Sequence, residues 1–185
     1  HALVSLHMAY RHGAFDWFNT VFCAGPHHID EIRCIEEQYN LPKKTLIEHG
    51  YARFDSIINN NYQEKINNKV THALFAPTWG PNACIELGLG RRVVEKLLSY
   101  GYKVTFRPHP ETLKSSSKII NKIISKYRTN KMFIYDECIS SLDSFHQSDF
   151  MVSDWSGAAI EYSLGLKKPV VFIDLPKKIN NERYK

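Results

Sequence analysis

The sequence predicts an α/β fold in which a parallel sheet has helices on both faces. Beyond about residue 70, short apolar segments alternate with longer segments whose apolar residues recur at helical spacing. Several of the apolar segments carry no polar face, which is typical of parallel strands buried on both sides. With 185 residues, 43% of them hydrophobic, the chain is long enough to bury such a core.

Five strands and four helices account for this alternation. The predicted strands are THALFAP (71–77), YKVTFRPHP (102–110), KMFIYD (131–136), DFMVSD (149–154) and KPVVFID (168–174). The predicted helices are ACIELGLGRRVVEKLLSYG (83–101), SSSKIINKIISKY (115–127), SSLDSFHQS (140–148) and SGAAIEYSLGL (156–166). Together they predict a Rossmann-like domain, in which ligands bind at the carboxyl ends of the strands.

A polar, Asn-rich segment at 59–68 precedes this domain and is typical of a linker or an exposed helix end. We therefore expect residues 1–58 to be the end of an N-terminal domain with an interdomain segment, and residues 70–185 to be the Rossmann-like domain. Because the chain begins without Met and stops in a polar segment, we expect an excerpt of a longer protein, truncated within its C-terminal domain.

Charge and hydropathy indicate which kinds of partner and which cellular location the chain suits. Lys and Arg number 24 against 19 Asp and Glu, and this dispersed excess suits an anionic substrate or a membrane surface better than nucleic acid, although an excess of this size more often serves solubility alone. No apolar run approaches the roughly 20 residues that a membrane-spanning helix requires. The first residues also lack the design of a signal peptide, so we expect a soluble intracellular protein.

The four cysteines are widely spaced and form no CxxC motif, which predicts free thiols in a reducing compartment. One set of potential metal ligands is close in sequence: Cys23, His27, His28 and Cys34. Its spacing matches no common zinc module, so a loop with buried thiols is favoured over a zinc site.

Polar and turn residues are concentrated at the predicted strand ends, which are APTWGP (76–81), RPHPET (107–112), YDE (135–137), SDWSG (153–157) and IDLP (173–176). The sequence has no GxGxxG motif and no Walker loop, which argues against a dinucleotide dehydrogenase or a phosphate-loop nucleotidase. Function therefore has to be inferred from these strand ends.

The RPHPE segment holds His109 between two prolines, which fix the backbone on either side of it. A rigid imidazole at a strand end can donate a hydrogen bond to a phosphate oxygen or move a proton near neutral pH. Arg107 adds a cation nearby, although alternation along the strand allows its side chain to point elsewhere. Trp79 and Trp155 are candidates to stack on a base or to close the cleft.

The SDWSG corner predicts a phosphate site at a helix start. Ser156 can cap the helix, and the small residues from Gly157 onward leave the first amides uncovered. Glu161 follows one turn later on the same face, where it could accept hydrogen bonds from sugar hydroxyls. This arrangement suits a nucleotide-linked donor. The alternative is an ordinary helix capped by Asp154 and Ser156, with Glu161 on its solvated face.

The segments FAPTWGP, RPHPE and SDFMVSDWSGAAIEYSLGLKKPVVFID, in this order, resemble the C-terminal half of the CDP-glycerol glycerophosphotransferase family, the teichoic-acid primases and polymerases of GT-B-type fold. Upstream, GAFDWFNTVFCAGPHH and EHGYARFDSI resemble the family's FD segment and its GYPRxD turn. The resemblance covers nearly the whole chain. It implies a two-domain enzyme whose C-terminal domain binds the CDP part of the donor and which transfers glycerol phosphate, another polyol phosphate or a sugar to a growing surface polymer.

The resemblance also implies roles for individual residues. His109 matches the family's His near the donor diphosphate and is the candidate catalytic residue. The candidate donor-binding residues are Thr78, Ser153, Asp154, Ser156, Gly157 and Glu161, together with Arg107 from its place beside His109.

The sequence departs from the family upstream. The family's HG motif, which carries its second important His, is largely missing, because neither His12 nor His49 lies where that motif belongs. Ala52 replaces the proline of the GYPR turn. His1 and His7 are the candidates for a divergent version of the motif, and we expect the base that activates the acceptor to lie there or outside the chain.

The resemblance implies CDP-glycerol or a related CDP-linked donor, and a polymer or lipid-linked acceptor such as teichoic acid or capsule. It implies a cytoplasmic location, with peripheral contact at the inner face of the cell membrane, and no nucleic-acid partner. No cofactor is expected, and a requirement for a divalent metal is left open. Two alternatives stay open as well. They are a nucleotide-sugar glycosyltransferase or UDP-sugar epimerase of GT-B-type fold, and a non-catalytic nucleotide-binding domain.

Overall fold

The computed structural model describes residues 3–59, 70–138 and 141–179. The chain divides into two compact units, His1–Ser56 with Lys178–Lys185, and Ile57–Lys177. Each unit contains its own parallel sheet. Apart from Asn59, the predicted linker at 59–68 lies outside the described residues.

The first unit is built around a two-stranded parallel sheet. Its elements are α1 (Leu6–Ala9), β1 (Thr20–Cys23), α2 (Pro26–Gln38) and β2 (Thr45–Glu48), and α3 (Ala52–Ile58) runs across the boundary between the units. Pro26 is the first residue of α2, a position where its fixed φ and missing N–H do no harm. Leu6, Cys23 and Ile32 form the buried core.

The second unit contains a five-stranded parallel sheet with the strand order β5-β4-β3-β6-β7. Along the chain its elements are β3 (His72–Phe75), α4 (Gly90–Ser99), β4 (Lys103–Phe106), α5 (Pro110–Ser115), α6 (Ser117–Tyr127), β5 (Phe133–Tyr135), α7 (Asp143–Gln147), β6 (Phe150–Ser153), α8 (Gly157–Leu166) and β7 (Val170–Phe172). The predicted alternation of strands and helices and the parallel sheet are confirmed.

Helices cover both faces of this sheet. Successive side chains of a strand point to opposite faces, so the residues of β3 divide between two buried clusters. Phe75 packs with Val94 of α4 and Ile120 of α6 in one cluster. Leu74 packs with Tyr162 of α8 in the other. The central strand is therefore buried on both sides, which explains why its sequence shows no polar face.

The structure differs from the prediction between β3 and α4. A helix was expected over 83–101, but α4 begins only at Gly90 and the preceding residues form turns. Gly88 has a φ of +76°, in the left-handed region that interrupts a right-handed helix. The N–H of Leu89 then donates to the carbonyl of Cys84 at 3.0 Å. Residues 83–89, whose apolar spacing is helical, therefore form part of a long loop at the carboxyl edge of the sheet.

Two buried threonines provide a test of this packing. Thr112 is fully buried, and its hydroxyl has no hydrogen-bond partner among the described residues. The hydroxyl of Thr105, also buried, lies 2.7 Å from Nε2 of His72. We expect Thr112→Val to leave the free energy of unfolding unchanged or to raise it by up to about 1 kcal/mol, because valine keeps the shape and removes an unpaired hydroxyl.

Thr105→Val is the matched control, and it should lower the free energy of unfolding by about 1–3 kcal/mol because Nε2 of the buried His72 ring loses its hydroxyl partner. Urea unfolding of the two variants measures both values. Equal losses in the two variants would contradict these assignments.

Candidate functional site

The candidate site lies at the carboxyl edge of the five-stranded sheet, where the strand order reverses. From β3 the chain moves outward to β4 and β5, and it then returns to the other side of β3 as β6. In open α/β sheets ligands bind outside the strand ends at such a reversal. The loops after β4, β3 and β6 are neighbours there, and they carry most of the residues that the sequence singled out.

Asp154 joins two of these loops. Its side chain is 1% exposed, Oδ1 accepts a hydrogen bond from the N–H of Thr78 at 2.5 Å, and Oδ2 accepts one from the N–H of Cys84 at 2.9 Å. The hydroxyl of Ser153 donates to the carbonyl of Ala76 at 2.7 Å. A carboxylate only accepts hydrogen bonds, so it is well suited to hold two backbone amides. The end of β6 therefore fixes the path of the loop that follows β3.

His109 caps α5 with its own ring. Its Nδ1 accepts a hydrogen bond from the N–H of Glu111 at 3.1 Å, and Pro110 occupies the first helical position. Because Nδ1 is an acceptor here, the neutral ring carries its proton on Nε2. The ring also stacks on Trp79, with centroids 5.8 Å apart and planes inclined by 28°.

The start of α8 has the geometry that the sequence predicts for a capped helix. Ser156 is extended, and its side chain accepts a hydrogen bond from the N–H of Ala158 at 3.2 Å. Glu161 is only 9% exposed, so it does not lie on a solvated face of the helix as the alternative interpretation expected. A capped helix start and a buried acid one turn later are thus present on the same element.

Arg107 turns away from the strand end into a cluster formed with α7. Its Nη1 donates to the carbonyl of Ser141 at 2.9 Å and to the hydroxyl of Ser144 at 2.7 Å. It lies 3.6 Å from Oδ2 of Asp136, and the guanidinium lies 5.3 Å from the centroid of the Phe145 ring. These contacts join the ends of β4 and β5 to α7, and direct contact of Arg107 with a donor stays a prediction.

Trp155 anchors the segment after β7. Its indole Nε1 donates to the carbonyl of Leu175 at 2.7 Å, and its ring packs near Phe172 with centroids 6.0 Å apart. Nζ of Lys177 lies 5.3 Å from the ring centroid. The two tryptophans at strand ends therefore have different surroundings, since Trp155 faces a backbone segment and Trp79 faces His109.

In the first unit, one of the potential zinc ligands, His28, has both ring nitrogens bonded to the backbone. Nδ1 of His28 accepts a hydrogen bond from the N–H of Ala24, and its Nε2 donates to the carbonyl of Val4. Burial lowers the pKa of His28, which keeps the ring neutral in this arrangement. Among the described residues, no group of three or more His, Cys, Asp or Glu side chains is arranged to hold a metal ion.

The upstream histidines lie in different environments. Nδ1 of His7 lies 2.7 Å from the hydroxyl of Ser5 and 3.8 Å from Glu31. The ring of His12 meets Tyr39 edge-on, and that of His49 meets Phe22 in the same way. His1 lies outside the described residues. The identity of the base therefore stays a prediction.

A sequence profile described as CDP-glycerol:poly(glycerophosphate) glycerophosphotransferase matches residues 22–178 of the chain. The chain belongs to this glycerophosphotransferase family. The match runs from β1 to the segment after β7, so the resemblance inferred from the strand ends is confirmed. No curated protein sequence matches the chain significantly.

A solved structure supports the fold of this member of the glycerophosphotransferase family. The UDP-GlcNAc 2-epimerase of Methanocaldococcus jannaschii, in complex with UDP-GlcNAc and UDP, is similar with a TM-score of 0.56 and 17% identity, over 86% of this chain and 47% of that one. Another structure of the same organism's enzyme has a TM-score of 0.47 and 15% identity, over 83% and 46%. The predicted GT-B-type fold is confirmed, and the chain spans about half the length of the first of these structures.

No helix in the described parts of the chain is long and apolar enough to cross a membrane.

The contacts made by the loop after β3 were not predicted from the sequence. The hydrogen bond from the N–H of Cys84 to Asp154 joins residues that are far apart along the chain, and so does the stack between Trp79 and His109. The one local signal was the His-Pro-Glu sequence, which is compatible with a side chain capping a helix whose second residue is acidic.

The reactivity of the Cys84 thiol shows whether the loop after β3 is closed, that is, held by its hydrogen bonds to Asp154. Burial raises the pKa of the Cys84 thiol to about 12, and the carboxylates of Asp154 and Glu86 add to the shift. The thiolate is the reactive form, so at pH 8 the buried Cys84 and Cys23 should resist a thiol reagent in the native protein. The exposed Cys34 and Cys138 should react at once, and the other two only on unfolding.

Asp154→Asn should increase the rate of Cys84 modification about tenfold or more. The asparagine amide would meet one of the two backbone N–H groups as a second donor, which weakens the closed loop. Asp174→Asn, a change at an exposed position, is the control and should leave the rate as it is. Peptide mapping after timed labelling measures the rates. Native Cys84 that reacts as fast as Cys34 would contradict the closed loop.

Proposed function

We propose that the protein is a transferase that moves glycerol phosphate, or a related polyol phosphate, from a CDP-linked donor to a hydroxyl of a surface polymer such as teichoic acid or capsule. The observation that carries the proposal is the family match over residues 22–178. The edge formed by the loops after β3, β4 and β6 is its donor side. The base that activates the acceptor would be His1, His7 or a residue outside this chain.

The donor diphosphate would bind at the start of α8. Gly157 provides the first amide of this ten-residue helix, at the positive end of the helix dipole, whereas the N–H of Ala158 is bonded to the side chain of Ser156. Nε2–H of His109 is a further donor for a phosphate oxygen. Glu161, buried one turn into the helix, would accept hydrogen bonds from the ribose hydroxyls. The side chain of Thr78 completes this set, since the Thr78 N–H is already bonded to Asp154.

The reaction needs alignment and charge neutralisation. The acceptor hydroxyl oxygen attacks the phosphorus that bears glycerol, the bond from that phosphorus to the CMP oxygen breaks, and the hydroxyl proton passes to a base. The negative charge that develops on CMP would be stabilised by the Gly157 N–H at the start of α8 and by His109. These hydrogen-bond donors would be in place before the CDP-linked substrate binds. Such preorganised groups favour the transition state over the substrate.

Three of the predicted donor-binding residues have a positioning role in this proposal. The side chains of Ser153 and Asp154 are bonded to backbone groups of the loop after β3, and Arg107 is bonded to α7. They support the edge on which the donor would lie.

Calorimetric titration with CDP-glycerol, CDP, UDP and UDP-N-acetylglucosamine tests the proposal. We expect binding that prefers cytidine nucleotides. Glu161→Gln should weaken CDP binding about tenfold, because a hydrogen bond to a charged acceptor is lost. Glu95→Gln is the matched control, since Glu95 is exposed on α4 and pairs with Lys126 at the surface.

The outcomes separate the alternatives. Preference for uridine nucleotides would favour a UDP-sugar enzyme, a natural comparison because the similar epimerase structure contains UDP-GlcNAc and UDP. Cytidine-selective binding without transfer to any polyol-phosphate acceptor in the full-length protein would favour a non-catalytic nucleotide-binding domain. Binding of no nucleotide would contradict the proposal.

A further inference from the structure

The positive charge of the chain is concentrated in one segment. Basic residues occur throughout the sequence, but residues 112–135 contain six Lys and Arg and no Asp or Glu. The rest of the chain then carries 18 Lys and Arg against 19 Asp and Glu, which is close to neutral. The net charge of +5 therefore arises from this segment, which includes α6 and the residues on either side of it.

Helix α6 presents much of this charge to solvent in a row. Its residues Ile120, Ile123 and Tyr127 are buried against the sheet. Its exposed residues are all polar, and they are Ser117, Lys118, Asn121, Lys122, Ser125 and Lys126. The three lysines, called here the lysine row, recur every four residues and so lie on one face of the helix. At a rise of about 1.5 Å per residue, the row is about 12 Å long.

Nearby carboxylates compensate for only part of this charge. Oε1 of Glu111 lies 2.7 Å from Nζ of Lys114. Oε1 of Glu95, on α4, lies 3.3 Å from Nζ of Lys126. Four further exposed cations of the segment form no ion pair with any described residue, and they are Lys118, Lys122, Arg128 and Lys131. Helix α4 packs beside α6 and adds the exposed Arg91, Arg92 and Lys96, so the surface formed by these two helices attracts anions.

The lysine row begins on the side of the candidate site and runs away from it. Because β4 and β5 are parallel neighbours, α5 and α6 lead the chain from the carboxyl edge of the sheet back to its amino edge. His109 caps α5 at the carboxyl edge, and α6 follows α5 after a single residue. Lys118 is therefore the end of the row nearest to the donor side, and Lys131 lies towards the amino edge.

The exposed chemistry of α6 distinguishes among polyanions. Nucleic-acid bases stack on aromatic side chains, and helices that bind lipid insert an apolar face. Every aromatic and aliphatic side chain of α6 is wholly or partly buried in the domain. The exposed face instead carries ammonium groups with hydroxyls and an amide between them, which can pair with phosphates and hydrogen-bond to polyol oxygens. This face therefore fits a chain of polyols joined by phosphodiesters.

We propose that the lysine row is a docking surface for the polymeric acceptor, which binds the polyol-phosphate chain behind the terminal hydroxyl that receives the next unit. This inference rests on the function proposed above, and the description of the matching family names a poly(glycerophosphate). Lys118 and Lys122 pair with phosphates of the chain, and the chain end reaches the donor side. The polymer then stays associated with the enzyme between transfers.

A fluorescently labelled glycerol-phosphate oligomer, long enough to span the lysine row, tests this surface without any nucleotide. A double variant, Lys118→Gln with Lys122→Gln, should weaken its binding about tenfold at low salt. The slope of the logarithm of affinity against that of salt concentration should fall by about 1 to 2, because two phosphate contacts and their counterions are lost. Gln is a good helix former, so α6 should stay intact, and far-UV circular dichroism checks this.

Lys43→Gln with Lys167→Gln is the matched control, since it removes the same charge at two other exposed positions. It should change the affinity less than twofold. Glycerol 3-phosphate at the same total phosphate concentration should not displace the oligomer, because single phosphates lack its multivalency. Displacement by this monomer, equal weakening in the two double variants, or no binding of the oligomer would overturn the proposal.

Two other polyanions provide competing outcomes. Vesicles of phosphatidylglycerol that bind through Lys118 and Lys122, when the oligomer does not bind, would overturn the proposal and assign the surface to a membrane. A DNA strand with the same number of phosphates that binds more tightly than the oligomer would overturn it in favour of nucleic acid.

Transfer kinetics separate this inference from the proposed function. In the full-length protein, the double variant at Lys118 and Lys122 should raise the KM for a long acceptor about tenfold. It should leave kcat and the KM for a one-unit acceptor unchanged, because a short acceptor does not reach the row. An equal rise for both acceptors would overturn the proposal. Oligomer binding that depends on the two lysines, in a protein that binds no CDP, would support the docking surface and count against the proposed donor alone.

Discussion

The carboxylate of Asp154 holds together the edge on which the candidate site is built. It is almost fully buried, and removal of a charge from water is costly unless hydrogen bonds compensate for it. Both of its oxygens accept backbone N–H groups from one loop, six residues apart, so a single side chain fixes both the start and the middle of that loop. A charged acceptor forms stronger bonds than a neutral one, which suits a loop that contains no regular element of its own before α4.

The sheet provides the frame for this interaction. Because β3 is the central strand and is buried on both faces, its end cannot shift without disturbing two hydrophobic clusters. The neighbouring β4 and β6 are in fixed register with it. Three strand ends therefore lie at fixed spacing, and the loops that follow them complete the site. Such a rigid scaffold with variable loops is a general way to build binding sites in α/β proteins.

The sequence was sufficient for features that depend on local pattern. Apolar runs predicted the five strands, and the serine before a run of small residues predicted the cap and the start of α8. It was not sufficient where tertiary contacts decide. The spacing in ACIELGLG is helical, yet the left-handed Gly88 and the bond to Asp154 make it a loop. Arg107 has two partners more than 30 residues away, Ser144 on α7 and Ser141 just before it, and no local signal indicates them. The burial of Glu161 likewise depends on how α8 packs against the sheet.

The cap at the start of α5 has a consequence for acid–base chemistry. If Nδ1 of His109 took up a proton, two donors would face each other, the imidazolium N–H and the Glu111 amide, and the helix start would lose its acceptor. The cap thus holds the neutral ring as the tautomer whose proton is on Nε2. Within the proposed function, such a ring can polarise a phosphate oxygen but is a poor store for the proton of the attacking hydroxyl. Different groups would then take up the proton and stabilise the developing charge, and the base would lie away from the strand ends.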